Sequence, residues 1–150
     1  MELKDTKLAA KWFQFRLDMV TELVNRYLVP AAKARKKMIT AAVFPGPSMA
    51  RTHVMQDWGR WRLDASLPML YHSFYEEGPE WVGAQTREGV AAVKKPLYSG
   101  LFVPGMNEAE FEKTVEIALG SGASGVSIFS DGAMDDVKWR VLRKVTGGGR

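Results

Sequence analysis

The stretch Tyr71-His72-Ser73-Phe74-Tyr75-Glu76-Glu77 gathers an imidazole, two phenols and two carboxyls just after the apolar run Ala65 to Leu70. His72, two residues past that run, stands where a side chain at a strand end can act as acid, base or hydrogen-bond donor. Asp131 follows a second apolar run, Gly125 to Phe129, and its neighbour Gly132 lets a ligand approach the backbone. Carboxyls and an imidazole at strand ends can take or give a proton to a bound ligand. Asp131 and Glu76, with His72, are therefore the candidate catalytic groups. Tyr71, Tyr75, Trp81 and Phe44 are candidate substrate-binding residues, because aromatic faces stack on flat apolar surfaces. Each candidate also has a plain structural reading. Asp-Gly is a common turn or helix cap, paired glutamates before Gly78-Pro79 are ordinary loop charges, a lone histidine is often structural, and Phe74 and Trp81 can seal a loop onto the body.

Other chemistries find little support. The chain has no cysteine, which excludes disulfides, zinc-thiolate sites and a thiol nucleophile. With only His53 and His72, a histidine-rich metal centre is not expected, and neither a GxGxxG nor a Walker pattern occurs, so no nucleotide or other cofactor is expected. His53 falls on a predicted helix and carries no functional expectation, and Asp57 and Asp64 fall within or just beyond a helix at the opposite end of the unit and are read as structural. Lys33, Arg35, Lys36 and Lys37 supply much of the net charge of +4. They cluster where the first helix should end, favourably for its dipole, and without the interleaved aromatics of a nucleic-acid surface.

The elements that must position the candidates follow from periodicity. Phe13, Val20, Val24, Leu28 and Ala31 recur at helical steps between Lys7 and Lys37, and Pro30 is expected to bend or end that helix. Short apolar runs at Met38 to Phe44, Ala65 to Leu70, Leu97 to Val103 and Gly125 to Phe129 read as strands. Between them, helices are expected from Met49 to Trp61 with Ser48 as cap, from Pro79 to about Val93, from Asn107 to Gly120 and from about Asp135 to Val145. Asn107 and Glu110 stand at capping-box spacing. Pro68 withholds one ladder hydrogen bond, so a bulge is expected just before Tyr71 and His72. The expected fold class is α/β, a helix and then four strand-helix units with parallel strands, and right-handed crossovers would line all four strand ends along one edge. At 150 residues this is one domain, 1–150, with a tail from about residue 145. A complete eight-stranded barrel takes about 250 residues, so four units amount to half of one.

Several segments taken together resemble a known family. They are Trp12-Phe13-Gln14-Phe15-Arg16 with Val20-Thr21 and Val24, Ala41-Ala42-Val43-Phe44-Pro45, Gln56-Asp57-Trp58 with Trp61, Pro68 to Tyr75, and Gly122 to Phe129. In this order the chain resembles the C-terminal half of the barrel in bacterial glycosyl-hydrolase-like proteins, which are loosely similar to family-ten glycosidases. The resemblance implies that the four strands are the fifth to eighth of a (β/α)8 barrel and that the chemistry is glycoside hydrolysis. Many barrel glycosidases of that kind carry an acid after the fourth strand and a nucleophilic glutamate after the seventh. The matching seventh-strand end here, Phe102-Val103-Pro104-Gly105, has no carboxylate.

The expectation is therefore a carbohydrate-binding or glycoside-hydrolase-like half-barrel, incomplete for catalysis alone. The alternative is a non-catalytic half-barrel that assembles into a dimer through its exposed sheet edges. Carbohydrate and a second copy are the expected partners. Neither a membrane nor a nucleic acid is expected, since no apolar run approaches the roughly 20 residues of a membrane-spanning helix. Met1-Glu2-Leu3-Lys4-Asp5 lacks the apolar stretch of a secretory leader, so a soluble chain of unknown location is expected.

Overall fold

The computed structural model describes residues 6–147. The N-terminal residues, on which the expectation about a leader rests, and the last three residues of the tail lie outside the described residues. The chain opens with a helical rod in three registers: α1 (Thr6–Glu22), a π-helical segment (Leu23–Leu28) and α2 (Val29–Ala34). Pro30 therefore does not end the helix. Proline has no N–H to donate, and its ring crowds the carbonyl one turn back. The wider π register just before it relieves that crowding, and the Val29 N–H reaches back five residues to the Val24 carbonyl. The rod ends at Ala34, so Lys33, Arg35, Lys36 and Lys37 stand exposed at its C-terminal end.

Strands and helices then alternate: β1 (Thr40–Val43), α3 (Pro47–Val54), β2 (Ala65–Pro68), α4 (Pro79–Ala92), β3 (Tyr98–Phe102), α5 (Glu108–Gly120), β4 (Gly125–Phe129) and α6 (Asp136–Val145). Helix α3 is shorter than expected and begins at Pro47 after Gly46, with Ser48 inside its first turn. Met55 closes it in the left-handed conformation at φ 56°, and Trp58 and Trp61 belong to a separate 3-10 turn (Trp58–Arg60) and its C-cap. Helix α5 keeps its expected cap, the Asn107 side chain accepting the Glu110 N–H at 3.0 Å. Asp135 caps α6 in the same way, accepting the Lys138 N–H at 2.8 Å.

All strand pairings are parallel, but they form two two-stranded sheets, β1 with β2 and β3 with β4. Two isolated bridges, Ser66 to Leu97 and Met69 to Gly100, join them so that the strands lie side by side in chain order. Pro68 explains why the seam is not a ladder. Ser66 N–H donates to the Pro96 carbonyl at 3.1 Å and Leu70 N–H to the Gly100 carbonyl at 2.8 Å. The rung between them falls to Pro68, which has no hydrogen to give. Gly100 completes the seam: a Cβ there would stand 2.7 Å from the Pro68 carbonyl oxygen, so only glycine lets the two backbones approach this closely.

One face of the strands is covered. Leu70, Leu101 and Val103 are buried with Val82, Phe111, Val115 and Ala118 from α4 and α5, with Ile128 and Val126 packed against them. Thr86 of α4 and Ser99 of β3 share a buried hydroxyl-hydroxyl hydrogen bond of 2.8 Å. Around β1, Val43, Ala50, Trp58 and Leu97 form a second cluster, into which Gly89 brings α4 so closely that a Cβ would meet Leu97 at 2.6 Å and Trp58 at 3.0 Å. Because strand side chains alternate between faces, Thr40, Ala42, Leu67, Met69, Tyr98, Phe102, Ser127 and Phe129 fall on the opposite face, where Thr40, Ala42, Tyr98 and Phe129 are exposed. Among the described residues, no helix is long and apolar enough to cross a membrane.

Candidate functional site

The C-terminal ends of the strands carry a continuous aromatic surface. Tyr71 follows β2, while Phe102 and Phe129 are register partners that end β3 and β4. Tyr71 lies 5.6 Å from Phe102, 5.9 Å from Phe129 and 5.6 Å from Phe74, ring centroid to ring centroid. Phe74 meets Phe102 edge-on at 4.8 Å, and Phe102 stacks on Phe129 at 6.0 Å. These separations are those of favourable aromatic pairs, yet Phe74 and Phe129 keep 64% and 55% of their surface in solvent. Apolar area held open by a packed scaffold is available to a ligand.

A second aromatic group adjoins the first. Tyr75 stacks on Trp81 at 4.9 Å, and Phe44, one residue past β1, presents its ring edge-on to Tyr75 at 6.3 Å. Phe44 is anchored at both backbone groups: its N–H donates to Gln56 Oε1 at 2.7 Å, and its carbonyl accepts from Trp58 Nε1 at 3.2 Å. Between the two groups lies a small cavity of about 210 Å³, lined by Phe44, Pro45, Met69, Tyr71, Phe74 and Tyr75. Burial raises the pKa of both phenols, Tyr71 and Tyr75, above the ordinary range. At neutral pH they are hydrogen-bonding hydroxyls on apolar rings, not bases.

The turn that carries these rings differs from the expected bulge. Strand β2 stops at Pro68, Leu70 N–H is shared between the Pro68 and Gly100 carbonyls, and His72 N–H bonds the Leu70 carbonyl at 3.0 Å. These tight turns lead into the 3-10 segment His72–Tyr75, which Glu76 closes in the left-handed conformation at φ 56°. The geometry turns the odd and even residues apart, so Tyr71 joins the aromatic surface while His72 is 2% exposed.

His72 is therefore not at the open mouth. Its Nε2 donates to Glu110 Oε1 at 3.0 Å, and its buried Nδ1 has no hydrogen-bond partner among the described residues. Glu110 was expected to return to the cap of α5. Its N–H does bond Asn107, but its carboxylate goes to His72 and ties the β2 turn to the first turn of α5.

The carboxylates lie apart from this pair. Asp131 is exposed in the 3-10 turn Asp131–Ala133 after β4, and its Oδ1 accepts the Gly132 N–H at 2.9 Å. Glu76 and Glu77 are exposed beyond β2. Asp57 is buried at 5% exposure and paired with Arg51 and Arg60. Asp64 accepts the Ile39 N–H at 2.8 Å. Both thus hold the scaffold, as their positions implied. Among the described residues, no group of three His, Cys, Asp or Glu side chains is arranged to hold a metal ion.

The candidates Tyr71, Tyr75, Trp81 and Phe44 all lie in the two aromatic groups, and Phe102 and Phe129 join them without having been candidates. The signal was present, since both are the last residues of their strands, but their shared register lies in the pairing of β3 with β4. No protein-family model matches the sequence, and neither a curated protein nor a solved structure matches it.

Proposed function

We propose that the chain is a (βα)4 half-barrel that binds carbohydrate on the aromatic surface at its strand ends and does not cleave it alone. Strands side by side in chain order, with helices on one face, are the arrangement of consecutive units of a (β/α)8 barrel, whose ligands bind at the C-terminal ends of the strands. The observation that carries the reading is the half-open array of Tyr71, Phe74, Phe102 and Phe129 beside the cavity under Phe44 and Tyr75. Sugar rings present apolar C–H faces to such rings, and the Tyr71 and Tyr75 hydroxyls can bond their rims. Hydrolysis would need a carboxyl pair. Asp131 and Glu76 are the accessible candidates, while His72 is committed to Glu110. The test is calorimetric titration with a panel of oligosaccharides, for wild type and for Tyr71→Ala and Phe74→Ala. Binding that both substitutions weaken at least tenfold, with unchanged circular dichroism, supports the reading. No binding across the panel, or binding that both variants retain, overturns it, and turnover by the chain alone that disappears in Asp131→Asn overturns its non-catalytic part.

A second reading rests on the uncovered sheet face. Strand β1 pairs only with β2 and β4 only with β3 among the described residues, and a hollow of about 320 Å³ lies against Thr40, Leu67, Tyr98 and Ser127. Two copies pairing β4 with β1 would close an eight-stranded ring. A monomeric mass in solution overturns that assembly.

A further inference from the structure

The helical rod of α1 and the π-helical segment carries a stripe of apolar residues on the side turned away from its own fold. Leu17, Thr21 and Val24 are buried against the body, and Asn25 and Asp18 fasten that contact through the backbone of Arg60 and Arg62 and the Arg60 side chain. On the opposite side Leu8, Trp12, Phe15, Met19, Leu23 and Tyr27 recur at steps of three and four and are each about half exposed, from 49% to 56%. Trp12 and Phe15 stack on one another at 5.5 Å. Two shallow apolar hollows run along this stripe, about 310 Å³ by Leu8, Lys11, Trp12 and Phe15 and about 390 Å³ by Met19, Leu23 and Tyr27.

We propose that this stripe is the docking surface for the same stripe of a second copy of the chain, the two rods running antiparallel about a two-fold axis at the level of Leu17. The stripe is self-complementary in that orientation. Phe15 of one copy faces Met19 of the other, Trp12 faces Leu23 and Leu8 faces Tyr27, so the larger rings of each end meet the hollow of the opposite end. The flanking charge selects the direction. Lys11 lies beside the N-terminal half of the stripe, and Asp18 and Glu22 beside its C-terminal half. Antiparallel pairing sets the same flank of the two helices together and brings each Lys11 to the partner's Glu22, which in its own helix pairs with Arg26 at 2.6 Å. An aromatic side chain offers about 150–250 Å², so three half-exposed aromatics contribute roughly 300 Å² per copy, and with Leu8, Met19 and Leu23 fully covered as well the two copies approach the lower end of specific interfaces, about 1,200 Å². The contact is isologous and closes at a dimer. It uses no strand edge and goes beyond the assembly through the sheet.

The test is analytical ultracentrifugation of the full chain over a concentration series. Wild type is expected to dimerise reversibly, and Trp12→Glu and Phe15→Glu, which lie on the solvent side of α1, to sediment as folded monomers. Lys11→Glu should weaken the dimer about tenfold, because two symmetry-related exposed pairs turn from attractive to repulsive. Combining Lys11→Glu with Glu22→Lys should restore it. A monomeric wild type, a dimer indifferent to Trp12→Glu and Phe15→Glu, or a double variant weaker than both single ones overturns the proposal. Indifference with a persisting dimer would assign the contact to the sheet edges instead.

Discussion

Replacing Gly100 by alanine isolates the seam that holds the two sheets together. The new Cβ would stand 2.7 Å from the Pro68 carbonyl oxygen, 3.3 Å from Met69 Cα and 3.4 Å from the Pro68 carbonyl carbon. All three are backbone atoms of the turn that presents Tyr71, so none can rotate aside, and β2 must move off β3. Overpacking of this kind costs about 1–3 kcal/mol. Stretching the 2.8 Å bond from Leu70 N–H to the Gly100 carbonyl removes up to about 1 kcal/mol more. Alanine opposes this by restricting the unfolded chain, worth about 0.4–1 kcal/mol. The expected net loss is about 2 kcal/mol, or roughly 4–8 °C in Tm for a chain of this length. Urea denaturation followed by tryptophan fluorescence measures it, with buried Trp58 as reporter. Gly120→Ala is the control. It sits at the last position of α5 with nothing within 4 Å of its Cβ, and should gain about 0.5–1 kcal/mol. If Gly100→Ala is as stable as wild type or more so, while Gly120→Ala behaves as expected, the seam is not held by close backbone approach and the reasoning fails.

Asn107→Ala removes the side chain that accepts the Glu110 N–H and should cost about 1 kcal/mol in the same denaturation experiment; Asn107→Asp should restore most of it. Asp135 titrates below its ordinary 3.8 because the Lys138 N–H and then the Lys138 ammonium bond its charged form. Its stabilisation is therefore complete only well above 3.8 and is lost as pH falls through that value and then through the lowered folded value. A carboxyl titration followed by NMR should give a midpoint below 3.8, and a midpoint at or above it refutes the cap as the cause.

Local chemistry made much of this chain legible without its structure. Strand runs, the helix beginning at Pro79 and those capped by Asn107 and Asp135 follow from periodicity and capping, which act over a few residues, and Pro68 announced a missing rung through its own covalent structure. Three features did not follow that way. Pro30 signals a helix end, but the π register upstream absorbs it. The aromatic surface was half visible, in Tyr71 and Tyr75, because its other half, Phe102 and Phe129, is joined to Tyr71 only through parallel pairing. The partner of His72 was hidden for the same reason: Glu110 lies 38 residues away, at capping-box spacing on another helix. The amino-acid sequence by itself determined the α/β class, the order of the elements and the residue types at the strand ends, because those depend on near-neighbour periodicity and covalent constraint. Only the tertiary structure decided which face each strand-end residue takes, which partners it meets and which side of α1 is left to solvent, because burial is settled between segments distant in the chain.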